Sequence, residues 1–402
     1  MMIEIISIGN ELLQGTTLNT NSVEMSRILF DKGYRVERHT VVADQETAIV
    51  QTVQEALARS DVVLCTGGLG PTSDDMTRAA AARCFQSELQ LNQGLLEELQ
   101  MRYGKNVATL QNQATLPADA AVIPNPFGTA SGFYFTHQQK LIFFMPGVPS
   151  EMRRLFSAHV LPVIEEKFPA PDKNYREWLH FLPLFESDID TALRILEKEN
   201  SGIQCGVYPN LGKLSIFLSS PDKKTVEAVK NALLASFGDR AFYSKSGSIV
   251  EAVQALLVKR GETLATAESC TGGAIAAAIT AKAGASAYYL GGFVSYSNIL
   301  KEAMLGVSHE TLEKKGAVSR ETAEEMLNGL FSSTACDWAI AVTGIAGPSG
   351  GSDEKPRGTV WAAVGRRGEK AFIWQMRGHG SREMVISYTV NLTLAKLYHK
   401  IK

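Results

Sequence analysis

The strongest constraint on this chain is a repeated junction, in which a short apolar run stops at a glycine turn or loop, in most cases ahead of a helix-like segment. IEIISIG from Ile3, DVVLCTGG from Asp61 and KLIFFMPG from Lys140 are three such junctions. TLATAES with its turn CTGG, from Thr263, and DWAIAVTG, from Asp337, are two more. Between the first pair lie a helical stretch over Asn21–Lys32, closed by Gly33, the strand YRVERHTVV and an amphipathic helix over Glu46–Arg59. Strands alternating with helices build a parallel sheet covered on both faces. In such sheets ligands bind beyond the carboxyl ends of the strands, where these glycines fall.

The expected architecture is α/β with three blocks. Residues 1–168 form a parallel-sheet domain, 173–245 a small α+β segment (REWLHFLPLF and KLSIFLSS as strands, with two helical stretches), and 248–402 a second α/β domain. The joints are FPAPDK at Phe168–Lys173, with two prolines and an aspartate, and SKSGS at Ser244–Ser248. Apolar residues at 45% over 402 residues are enough for real cores, which excludes wholesale disorder. Forty Lys+Arg against 42 Asp+Glu leave no basic footprint for a polyanion, so nucleic acid is not the expected partner. No apolar run approaches the ~20 residues of a membrane span, and the start reads as a strand rather than a leader, so the cytoplasm is the expected compartment. Five scattered cysteines, none in a C-x-x-C pair, fit reduced thiols.

Chemistry concentrates at four junctions. Ser269 stands where a strand gives way to a helix after Thr271, Gly272 and Gly273, so a hydroxyl there meets backbone donors able to hold an oxyanion. A helix-capping serine would show the same local sequence. Cys270 is a rival nucleophile without a nearby histidine. Val294-Ser295-Tyr296-Ser297-Asn298, followed by Lys301, offers a phenol or a neutral amine as base. On their own these two residues read as a strand-end tyrosine and a solvated helix lysine. The spacing fits neither Tyr-x-x-x-Lys nor Ser-x-x-Lys. The loop from Thr343 to Gly351 carries Gly344, Gly347, Gly350 and Gly351, more glycine than a plain turn needs, and suits a phosphate or ribose. It is neither a P-loop nor a dinucleotide fingerprint.

In the first block the run Thr66-Gly67-Gly68-Leu69-Gly70-Pro71-Thr72-Ser73-Asp74-Asp75 joins glycines, hydroxyls and carboxylates, which suits a phosphate with a divalent cation. Gly9-Asn10-Glu11-Leu12 and Pro146–Glu151 are expected at the same sheet edge. A helix cap explains one of the two aspartates equally well.

With these residues laid out, the chain resembles the CinA (competence/damage-inducible protein A) family over its whole length. SIGNELLQG, Asn19–Asn21, TGGLGPTSDD and PGVPSEM are similar to its molybdopterin-binding-like (MoaB/MoeA-like) N-terminal domain. AESCTGG, VSYSN, the following lysine, GAVS, TGIAGPSGG and KPRGTV are similar to its C-terminal nicotinamide mononucleotide (NMN) deamidase domain, and the middle segment corresponds to a KH-like linker domain. The resemblance implies that Ser269 is the nucleophile, with Tyr296 and Lys301 in catalysis. NMN would be hydrolysed to nicotinate mononucleotide and ammonia without cofactor, as a step of pyridine nucleotide salvage. Thr271–Gly273 are the expected oxyanion donors, and the Gly344–Gly351 loop with Arg377 and Arg382 the expected ribose-phosphate contacts.

For the N-terminal domain the resemblance implies metal-dependent ADP-ribose pyrophosphatase activity. Gly67, Gly68, Gly70 and Thr72 are the expected diphosphate cradle, and Asp44 and Asp75 the expected metal or water-activating carboxylates. A homodimer is expected. The competing reading is a non-catalytic pterin- or nucleotide-binding or competence-linked partner protein. A nucleic-acid role comes third, because the middle segment lacks the basic GXXG loop.

Overall fold

The computed structural model describes residues 1–72, 74–104, 109–170 and 174–402. Ser73, within the Thr66–Asp75 run, and Pro171, Asp172 and Lys173 of the expected linker lie outside the described residues. The chain divides into two compact units between residues 173 and 174.

The first unit carries β1 (Ile3–Ile8), β2 (Val36–Val42), β3 (Val62–Thr66), β4 (Leu89–Leu91), β5 (Thr115–Pro117), β6 (Ala121–Ile123), β7 (Gly132–His137) and β8 (Lys140–Met145). Its main sheet has the order β2-β1-β3-β8-β7-β6, while β4 and β5 form a separate ribbon. The three strands foreseen from the glycine junctions, β1, β3 and β8, run parallel to one another and to β2. β7 and β6 extend the sheet antiparallel, so it is mixed rather than wholly parallel.

Alternating side chains of the parallel strands feed two cores, one on each face. Ile6, Val63, Cys65 and Phe144 pack with Ile49 and Val53 of the helix Glu46–Arg59. Ile3, Ile5, Leu64 and Phe143 pack with Met25 and Leu29 of the helix Thr20–Asp31.

The second unit contains two sheets. β9 (Tyr175–Phe181), β10 (Gln204–Asn210), β11 (Lys213–Ser220) and β12 (Ala241–Phe242) form an antiparallel sheet of order β10-β11-β9-β12, with the helices Glu186–Glu199 and Lys223–Phe237 on one face. β13 (Leu264–Glu268), β14 (Tyr289–Val294), β15 (Trp338–Gly344), β16 (Thr359–Arg366) and β17 (Phe372–Arg377) form the other, of order β14-β13-β15-β16-β17. Here β14, β13 and β15 are parallel, and β16 and β17 return antiparallel.

One face of this sheet, with Leu264, Ile340 and Val342, is covered by the helices Ile249–Arg260 and Arg382–Ile401. The other face is alanine at its centre (Ala265, Ala267, Ala339, Ala341, Ala363), with Phe293, Trp361 and Ile373 around it, which lets the helix Arg320–Ser333 come close. That helix in turn meets the end of the helix Asn298–Leu305: a Cβ on Gly329 would stand 2.0 Å from the Leu305 carbonyl oxygen.

Candidate active sites

In the first unit, the loops after β1, β2, β3 and β8 meet at the carboxyl edge and enclose a cavity of about 290 Å³. Asn21 stitches them. Its Nδ2 donates to Thr66 Oγ1 (2.9 Å) and to the Gly147 carbonyl (2.8 Å), and the Thr66 hydroxyl donates onward to the Pro146 carbonyl (2.9 Å). The turn itself demands glycine. Gly67 has φ +109, and a Cβ there would lie 2.0 Å from the Ile8 carbonyl oxygen. Gly67, Gly68, Asp44 and Asp75 all border the cavity, whereas Gly70 and Thr72 do not.

Asp75 has a duty the sequence did not suggest. One of its carboxylate oxygens accepts the Gly70 amide (2.8 Å), and the other accepts the Thr72 amide (2.9 Å) and hydroxyl. It braces the loop in front of the helix Thr77–Phe85 rather than capping that helix. Asp44 accepts the Asn10 amide (2.8 Å) and so joins the loops after β1 and β2. Glu11 and Asp74 complete a wall of four carboxylates, and no Lys, Arg or His borders the cavity among the described residues.

This donor set of hard oxygens suits a divalent cation. No three His, Cys, Asp or Glu side chains converge into a cage among the described residues. A cage is not required, because Mg²⁺ at phosphate sites takes one or two carboxylates and completes its shell with water and substrate phosphate.

In the second unit the cavity has opposite chemistry. About 230 Å³ in volume, it is bordered by Ser269, Tyr296, Lys301 and Arg382, with Ala317, Ile345 and Gly347 among the rest and no carboxylate among the described residues. Ser269 follows β13, and its amide donates to the Val342 carbonyl (2.9 Å), which prolongs the sheet by one bond.

Lys301 lies on the helix Asn298–Leu305, which Ser297 caps by accepting the Leu300 amide and Gly306 ends at φ +63. One turn apart, Lys301 and Leu305 share the buried face of that helix. Lys301 is therefore not a solvated helix lysine: it is 1% exposed. Its Nζ lies 2.9 Å from Ser269 Oγ, 2.8 Å from the Ser295 carbonyl and 3.3 Å from the Tyr296 carbonyl. Burial pushes its amine below the usual 10.5, with the neighbouring Cys270 working the other way. Nζ donates to Ser269 Oγ as well as to the two carbonyls; on losing a proton it would keep two hydrogens for the carbonyls and turn its lone pair to the serine hydroxyl.

Tyr296 meets Lys301 only through its main chain. Its ring is 59% exposed, and Arg382 donates to its hydroxyl (3.2 Å) and to the Gly347 carbonyl (2.9 Å), closing the rim of the cavity. Of the two base candidates, the amine is the one in contact with Ser269. Burial pushes the Cys270 thiol up to about 12, which keeps it protonated and unsuited to attack.

Two of the amides expected to hold an oxyanion are already engaged. The Gly272 amide donates to the Ser269 carbonyl (3.0 Å) and the Gly273 amide to the Glu268 carboxylate (3.1 Å). The amides in that turn that pair with no other residue, among the described residues, are those of Cys270, which faces its own thiol, and Thr271. Gly344 and Gly347 border the cavity; Gly350, Gly351, Thr271, Gly272, Gly273 and Arg377 do not. Sequence reasoning gave Glu268 and Asn21 no role, although both stand inside motifs it singled out. The available signal for Glu268 was an acid closing a strand of small apolar residues, LATAE.

Two families match the chain: "CinA C-terminal domain" over residues 246–401 and "Probable molybdopterin binding domain" over residues 4–166. A CinA-like protein of Geotalea uraniireducens is 38% identical, with 96% of this chain and 94% of that protein covered. A CinA-like protein of Geobacter sulfurreducens is 37% identical, with 100% and 99% covered. A crystal structure of a competence-damaged protein (CinA) superfamily protein from Klebsiella pneumoniae is 41% identical over 38% of this chain and 95% of that one, at TM-score 0.37. No helix among the described residues is long and apolar enough to cross a membrane.

Proposed function

The chain belongs to the CinA family, and on that footing we propose that its C-terminal domain hydrolyses the carboxamide of NMN to nicotinate mononucleotide and ammonia. The observation that carries this reading is the buried Lys301 amine at 2.9 Å from Ser269 Oγ. Lys301 takes the hydroxyl proton as Ser269 attacks the carboxamide carbon. The charge that develops on the carboxamide oxygen meets the turn amides after Ser269, that of Cys270 at the cavity wall and that of Thr271 behind it. Lys301, now an ammonium, returns its proton to the departing nitrogen, and ammonia leaves an acyl ester on Ser269. Water, deprotonated by the same amine, cleaves the ester and restores the hydroxyl. Arg382 at the rim has guanidinium hydrogens left for the 5′-phosphate after its bonds to Tyr296 and Gly347.

The N-terminal domain, in the same proposal, cleaves the diphosphate of ADP-ribose with a divalent cation. Asp44, Glu11 and Asp74 are the carboxylates placed to hold it, while Asp75 keeps the Gly70–Thr72 loop in shape. Bound there, the cation would neutralise the diphosphate beside a wall that otherwise repels it.

Mass spectrometry of the intact protein, quenched during NMN turnover, tests the serine mechanism. An acyl adduct located on Ser269 and missing from Ser269→Ala is expected. Full ammonia release by Ser269→Ala would remove the proposal.

A further inference from the structure

Glu268 ends β13 immediately before the proposed nucleophile and is 1% exposed. Its carboxylate pairs with no cation among the described residues. Instead, one oxygen accepts the amides of Gly273 (3.1 Å) and Ile275 (3.0 Å), and the other accepts that of Ala276 (2.8 Å). The helix Ala274–Thr280 needs an acceptor there, because Gly273 at φ +95 is its cap residue and has no side chain to offer. Glu268 supplies it from across the turn, so Ser269–Gly273 is clamped between the strand end and the helix start.

The main chain of the same residue reaches the other partner. The Glu268 carbonyl accepts the Ser295 amide (2.9 Å), and the Ser295 carbonyl in turn holds Lys301 Nζ (2.8 Å). One residue thus fixes the turn that carries Ser269 and the carbonyl that aims Lys301. Its carboxylate takes the helix-start amides, and the Cys270 and Thr271 amides are the ones in the turn that pair with no other residue among the described residues.

We infer that Glu268 is the positioning residue of the Ser269–Lys301 pair, and that its carboxylate sets the direction of the Cys270 and Thr271 amides. The inference rests on the serine-amidase reading above. Misplacing reacting groups by about 1 Å costs on the order of 100-fold, and losing an oxyanion donor costs about 100- to 1,000-fold.

Glu268→Gln is the test, because the amide keeps one acceptor and turns an NH₂ against at least one backbone N–H in either orientation. The variant, folded by thermal melting and circular dichroism, is expected to lose about 100-fold in kcat for ammonia release from NMN. KM is expected to stay within about 3-fold, since substrate binding does not use the turn amides. The pH at which kcat/KM inflects should not move, because Lys301 keeps both carbonyls. Amide exchange at residues 270–276 should quicken.

A folded Glu268→Gln with wild-type kcat, or with a loss confined to KM, would overturn the inference. If that variant does not fold, Glu268→Asp, which keeps the charge on a shorter arm, decides by the same split: a lowered kcat supports the inference and an unchanged one overturns it. Ammonia release by the wild type but not by Ser269→Ala keeps the amidase reading intact whatever Glu268 shows. Equal release by both would fail that reading instead.

Discussion

The two cavities are built by the same device and finished with opposite charge. Each collects glycine turns at the carboxyl edge of parallel strands. Among the described residues, the N-terminal one is walled by Glu11, Asp44, Asp74 and Asp75 without a cationic side chain, and the C-terminal one holds Lys301 and Arg382 without a carboxylate. A phosphate-bearing ligand meets repulsion in the first unless a cation comes with it, and attraction in the second without help. The contrast teaches that glycine loops prepare a backbone for close approach, while the side chains around them decide which ligand and which helper the site accepts.

The contrast breaks first at Lys301. Lys301→Met should lower ammonia release from NMN by about 10⁴-fold or more, while leaving ADP-ribose cleavage within 2-fold. It should also raise the melting temperature at neutral pH. In the folded chain the amine binds its proton more weakly than in the unfolded chain, so burial subtracts from stability at pH 7. That cost fades as pH rises through the ordinary 10.5, where the variant's advantage should vanish. A variant less stable than the wild type at pH 7 would contradict the account.

Next in size, Asp75→Ala should reduce ADP-ribose cleavage by about 100-fold, through collapse of the loop it braces, with NMN turnover unchanged. Parallel loss of both activities would mean that the sites are not independent. The pH profile sharpens the comparison further: kcat/KM for NMN should rise with pH to an inflection below 10.5, where Lys301 loses its proton. A profile that falls over that range would rule out the amine as base. Smallest is Tyr296→Phe, which removes the bond from Arg382 but leaves the main-chain contact to Lys301. A change below about 10-fold, mostly in KM, is expected; a kcat as low as that of Lys301→Met would return the base to the phenol.

Much of this was legible in sequence because local chemistry announces it. A β-branched run ending in two glycines states both the strand and the turn, and the junctions at Gly9, Gly67, Gly147, Ser269 and Gly344 all follow parallel or central strands. Elements without such punctuation went unread. β14, whose sequence YLGGFV carries two glycines, pairs along the whole of β13, and the short β6 and β7 pair antiparallel with their neighbours in the chain.

The site shows the same division. Ser269 was visible from its turn, but the burial of Lys301 was not, since its neighbours in sequence say nothing of the helix Arg320–Ser333 that packs against its own helix. The duties of Asp75 and Glu268 were hidden for a related reason. Both carboxylates serve backbone amides brought near by the turn between, and a hydrogen-bond partner is a property of the folded turn.

The central claim, a metal-free serine–lysine amidase, is tested most directly by ammonia release from NMN in the presence of excess chelator, with the wild type and Lys301→Met side by side. The account predicts an undiminished rate for the wild type and none above background for the variant. A wild type silenced by the chelator, or a variant that still releases ammonia, would contradict it.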